Sequence, residues 1–116
     1  MSQERVLESI MQLGLTEADA QVYVCLALNG PQKAKQIAQK MNLYKEQLYR
    51  SLKKLQKKDI VESTDAHPAV YSAIPFDKVL DLLAEIKKEQ EKALLEARKE
   101  LLASWKEMTE KNSKNN

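Results

Sequence analysis

Between Lys78 and Glu110 the chain contains neither glycine nor proline. A stretch of that length without a helix breaker predicts one continuous helix of about 50 Å, which cannot fold back on itself. Its apolar residues Leu83, Ile86, Leu94, Ala97, Leu101, Trp105 and Met108, with Gln90 as a polar interruption, follow one another at steps of three and four. That spacing keeps a stripe along the helix as an irregular coiled-coil seam. A small domain cannot cover so long a stripe, so the seam calls for a partner helix, most simply a second copy of the chain.

The rest of the 116 residues reads as one small helical domain. Two glycines and three prolines leave few turns for a many-stranded sheet. An opening helix over 2–13 carries Val6, Leu7, Ile10 and Leu13 on one side and stops at Gly14. Thr16 stands as N-cap, with Asp19 three residues on, before the apolar run Val22 to Leu28. Gly30 suits a left-handed helix end and Pro31 discourages continuation.

A short helix with Ala34, Ile37, Ala38 and Met41 inward follows, then a turn at Asn42 and Leu43, then a helix from Lys45 to about Lys58 with Leu48, Leu52 and Leu55 inward. This is a helix-turn-helix. The period then falls to two in "IVES" and "AVYSAI", separated by "TDAHP", which predicts a β-hairpin. The expected fold is therefore mainly α with a small β-hairpin. A winged helix-turn-helix over 1–76 precedes a long dimerisation helix over 77–111, with Asp77 as its N-cap, and 112–116 form a frayed tail.

Net charge is only +2, but residues 31–58 hold nine basic side chains against one acidic. Clustered Lys and Arg gain affinity for duplex DNA by releasing condensed counterions. With the leucines inward, Lys45, Gln47, Arg50, Ser51 and Lys54 are left toward solvent. Gln47 suits an adenine edge and Arg50 a guanine, while Tyr44, Lys45, Lys54, Lys33 and Lys35 suit phosphates. His67, in the hairpin turn, is either a solvent-exposed turn residue or a contact to nucleic acid. Tyr49 reads as a core or boundary residue.

Catalysis finds little raw material. One histidine, one cysteine and no glycine-rich loop argue against zinc sites, cysteine–histidine dyads and P-loop hydrolysis. Cys25, inside an apolar run, reads as a packing thiol. The mixed Glu and Lys of the last helix read as a solvated face. No run approaches the roughly 20 apolar residues of a membrane span. A cytoplasmic, nucleoid-associated, non-enzymatic protein with no cofactor, no metal, no small-molecule ligand and double-stranded DNA as partner is expected. A non-specific architectural DNA-binding protein and a winged-helix protein-interaction module stand as alternatives.

Residues 13–76 also resemble the DNA-binding domain of the TrmB-type transcriptional regulators, found mainly in archaea. The likeness is carried by Leu13 to Glu17, Tyr23, Gly30 with Pro31, Ala34, Ile37 and Ala38, Tyr49 with Leu52 and Leu55, and Tyr71, Ala73 and Pro75. The resemblance implies a winged-helix repressor or activator that binds promoter DNA as a dimer. Sugar-sensing members carry an effector domain after the coiled coil, and this chain ends before one begins. Sugar binding is therefore not implied.

Overall fold

The computed structural model of the chain describes residues 3–114. Its elements are α1 (Gln3–Gln12), α2 (Glu17–Asn29), β1 (Gln32–Lys33), α3 (Ala34–Met41), α4 (Lys45–Lys57), β2 (Val61–Ser63), β3 (Val70–Ala73) and α5 (Phe76–Lys114). The fold is the expected winged helix followed by a long helix. By its contacts the chain divides after Ala84.

In the first unit the helices start and stop where local chemistry directs. The Thr16 hydroxyl accepts the Asp19 backbone N–H at 3.1 Å and caps α2. Asn42 closes α3 in the left-handed conformation (φ 54°, ψ 43°), as its short polar side chain tolerates. Gly30 ends α2 at φ 81° and ψ −174°, outside the left-handed helical well expected there and in a region essentially reserved for glycine. Ile10, Tyr23, Leu26, Ile37, Leu48, Leu52, Leu55, Ile60, Val79 and Leu83 form the core. The Tyr23 hydroxyl donates to the Ile74 carbonyl at 2.7 Å and fastens α2 to the end of the wing. Burial, and secondarily the nearby Asp77 carboxylate, push the Tyr23 phenol up.

Besides that of Gly30, four expectations are corrected and one is extended. The expected hairpin forms as β2 and β3 and is part of a three-stranded antiparallel sheet of order β1-β3-β2, in which Gln32 pairs with Tyr71 and Lys33 with Val70. The two residues of β1 carry no alternating pattern of their own, and β3 supplies their partner. Asp77 does not cap α5. The helix begins at Phe76, the Pro75 carbonyl accepts the Val79 N–H at 3.1 Å, and Asp77 lies in the first turn.

Leu83, expected in the dimer seam, is buried in the winged-helix core, because the opening turns of α5 are needed to close it. Cys25 is half-buried rather than enclosed, its sulfur accepting from Asn29 at 3.7 Å. The last helix continues to Lys114, past the end expected near Glu110. The last two residues of the expected frayed tail lie outside the described residues.

In the second unit, from Glu85 onward, α5 carries exposed Leu94, Leu95, Leu101, Leu102, Trp105 and Met108, with Ile86 and Ala97 half-buried and Gln90 exposed. Among the described residues, no helix is long and apolar enough to cross a membrane.

Candidate nucleic-acid interface

Helix α4 turns about 100° per residue, so a side chain's neighbours in space are set by its angle and not by its polarity. Leu48, Leu52 and Leu55 face the core as expected, and Ser51, three residues after Leu48, lies within the same stripe. It is 2% exposed and is removed from the set of groove-facing residues. A small side chain there lets α4 seat closely against its neighbours. Tyr49, one step round from Leu48, is turned out of the core and is 43% exposed. Its expected core position is likewise corrected.

Lys54 reaches back across α2. Its ammonium stands 3.2 Å from a carboxylate oxygen of the buried Asp19 while the lysine side chain remains 44% exposed. Its charge is therefore largely committed within the fold. The other Asp19 oxygen has no hydrogen-bond partner among the described residues.

The remaining expected residues are exposed. Tyr44 is 82% accessible at the start of α4, and Lys45, Gln47 and Arg50 follow on the same helix. A hollow of about 830 Å³ between α3, α4 and the wing brings together Lys33, Lys35, Lys45 and His67. Each arrives by a separate local cause. Pairing of β1 with β3 sets Lys33 opposite Val70 at the root of the wing. The left-handed turn at Asn42 directs α4 so that Lys45 opens onto the hollow. Reciprocal bonds between Thr64 and Val70, one from the Thr64 N–H to the Val70 carbonyl and one from the Val70 N–H to the Thr64 hydroxyl, both 3.0 Å, close the wing loop that carries His67. The His67–Pro68 peptide is cis.

Two tyrosines missed by sequence reasoning also line the hollow. Tyr49 lies beneath the Lys45 ammonium, which is 5.9 Å from its ring centroid, within cation–π range. Tyr71 is half-buried on β3, its phenol pushed up by burial and then by the neighbouring Tyr49. The strand alternation already put Tyr71 opposite in sense to Val70 and Ser72, and that was the available signal. The floor is apolar, with Ala34, Ala38, Leu43 and Leu48.

Three amines above an apolar floor can hold a polyanion by charge, the imidazole beside them can hydrogen-bond, and the exposed amide and guanidinium of α4 can hydrogen-bond to base edges. Among the described residues no cluster of three or more His, Cys, Asp or Glu could hold a metal ion.

A three-helix core, a recognition-type helix turned outward and a β-hairpin beside it define a winged-helix protein of the kind found in transcription regulators. Residues 10–77 match the family described as sugar-specific transcriptional regulator TrmB, and the chain belongs to that family. It is 26% identical over 85 residues to the HTH-type sugar sensing transcriptional regulator TrmBL1 of Pyrococcus furiosus, a match covering 73% of this chain and 25% of that protein. The chain thus spans about a quarter of that relative's length.

Among solved structures, TrmBL2, described as an archaeal chromatin protein with a novel mode of DNA binding, superposes with a TM-score of 0.76 at 22% identity. That match covers 99% of this chain and 46% of TrmBL2. The ST1889 protein of the thermoacidophilic archaeon Sulfolobus tokodaii gives a TM-score of 0.61 at 25% identity, over 75% of this chain and 96% of that one.

Proposed function

We propose that the chain is a homodimeric regulator of transcription that recognises specific sites on duplex DNA, with α4 in the major groove and the β2–β3 wing on backbone or minor groove. The observation that carries this reading is the convergence of Lys33, Lys35, Lys45 and His67 on one hollow, with Gln47 and Arg50 exposed on the adjoining helix. Gln47 and Arg50 read bases, and Tyr44, Lys33, Lys35 and Lys45 hold phosphates. The exposed side chains of α5 between Ile86 and Met108 pair two copies. The protein works on the nucleoid in the cytoplasm, and the reading needs no small molecule. Titration of a duplex at several salt concentrations tests it. Six or more phosphate contacts from a dimer give a log–log slope of about −5 or steeper, and a flat response overturns the proposal.

A second reading keeps the duplex and drops the sequence preference. Residues 31–58 hold eight lysines and one arginine, and lysine reads bases less selectively than a bidentate guanidinium. TrmBL2, described as a chromatin protein, has the same fold. Competition between a candidate promoter and random duplex separates the two, with a preference below roughly tenfold favouring coating.

A further inference from the structure

The exposed face of α5 is wider than the stripe expected from steps of three and four. Leu94, Leu95, Arg98, Leu101, Leu102 and Trp105 line one shallow groove along the helix. Leu94, Leu101 and Met108 recur every seven residues, as do Leu95 and Leu102, and as do Arg98 and Trp105. The four leucines, Trp105 and Met108 are between 50% and 63% exposed, so each still requires cover. The other charged residues of this stretch, Glu96, Lys99, Glu100, Lys106 and Glu107, fall on the remaining faces at helical spacing, so that Arg98 alone of the charged side chains lies in the groove.

Resting on the homodimer reading above, we infer that two copies pair antiparallel, about a two-fold axis through the midpoint between Leu101 and Leu102. The face is self-complementary about that point. Residues equally far on either side of it meet, so Leu101 faces Leu102, Leu95 faces Met108, Leu94 faces Thr109 and Arg98 faces Trp105.

The sevenfold series ends in polar residues on both sides, Glu91 before Arg98 and Asn112 after Trp105, and these two also meet about the same midpoint. In a parallel, in-register pair every residue meets its own copy, which sets two Arg98 guanidinium groups against each other on a water-poor seam. The antiparallel pair instead lays each Arg98 over the other copy's indole, a cation–π contact made twice.

Cysteine cross-linking of the full chain in a Cys25→Ser background tests the direction, with sedimentation equilibrium on the same samples reporting the dimer. In the antiparallel pair the two copies of position 108 stand about 20 Å apart along the axis, far beyond the roughly 7 Å Cα separation that a disulfide spans. Met108→Cys alone therefore gives no disulfide dimer, whereas a mixture of Leu95→Cys and Met108→Cys chains gives a cross-linked heterodimer. Trp105→Leu weakens the dimer about tenfold, since two cation–π contacts are lost.

A dimer in which Met108→Cys cross-links to itself overturns the antiparallel inference and leaves the homodimer standing. A chain that stays monomeric at all concentrations overturns both, and neither result bears on duplex binding by the winged helix.

Discussion

At the residue scale, the positions that polarity alone misassigns are those where a single partner outweighs it. Lys54 looks like a phosphate contact and is instead the counter-charge of a buried carboxylate. Lys54→Met is expected to destabilise the fold by about 1–3 kcal/mol, less than removing one partner of a fully enclosed pair because the lysine is partly hydrated. It should also leave the salt slope of DNA binding unchanged, and Lys54→Arg should restore stability. Urea denaturation and the salt titration together check this. A slope of the dimer that falls by about two for Lys54→Met would return this lysine to the phosphate contacts.

Tyr23 gives a pH signature. Burial holds its proton more tightly in the folded chain than in the unfolded one, where a phenol titrates near pH 10. The contribution of this group is therefore complete below about pH 10 and is lost as pH rises through the higher folded value. Stability should fall on the alkaline side, and less steeply in Tyr23→Phe, where Tyr71 remains as a half-buried phenol with its proton also held more tightly. At neutral pH the same variant should lose about 1 kcal/mol with the bond to the Ile74 carbonyl. Denaturation midpoints measured between pH 8 and 11 decide it.

At the element scale, most of the fold is legible because each helix is announced by agreeing signals: the Thr16 cap, the glycine and proline after α2, the positive-φ Asn42, and leucines at helical spacing in α4. The wing is legible from its period of two. What is not legible depends on partners distant in sequence. The strand β1 exists only because β3 is there to pair with it, and that pairing brings Lys33 to the hollow.

The candidate site divides the same way. Lys45, Gln47 and Arg50 follow from the angle of α4, whereas the contribution of Tyr49 and Tyr71 needed the wing in place, and Ser51 was misassigned by chemistry where geometry decides. The helix α4 then makes separable predictions for its two kinds of contact. Lys45→Ala, present in both copies, should weaken binding to all duplexes alike and reduce the salt slope of the dimer by about two, while Arg50→Ala should cost about 1–3 kcal/mol per half-site of the preferred site and little on random duplex. Equal losses on both duplexes for Arg50→Ala would favour the coating reading.

At the scale of the whole molecule, two requirements fall on different stretches of chain. The cluster of basic side chains proposed to meet a polyanion lies in the unit that ends at Ala84, and the exposed leucines of α5 and Trp105 lie after it. A lone winged helix neutralises only the few phosphates its own hollow and helix can reach. In the proposed homodimer that number doubles without any new kind of contact, and the salt slope, which counts phosphates, should double with it.

Leu101→Glu with Leu102→Glu places like charges at the centre of the proposed pair, where an apolar seam would otherwise form, and should yield a monomer by sedimentation. Neither residue belongs to the winged-helix core, so far-ultraviolet circular dichroism and the unfolding transition of the core should be preserved. On duplex DNA the slope should then drop to roughly half of the wild-type value, with affinity at moderate salt falling by at least about tenfold. An unchanged slope in a demonstrated monomer would mean that one winged helix makes all the phosphate contacts, and the pairing of copies would then have no part in binding DNA.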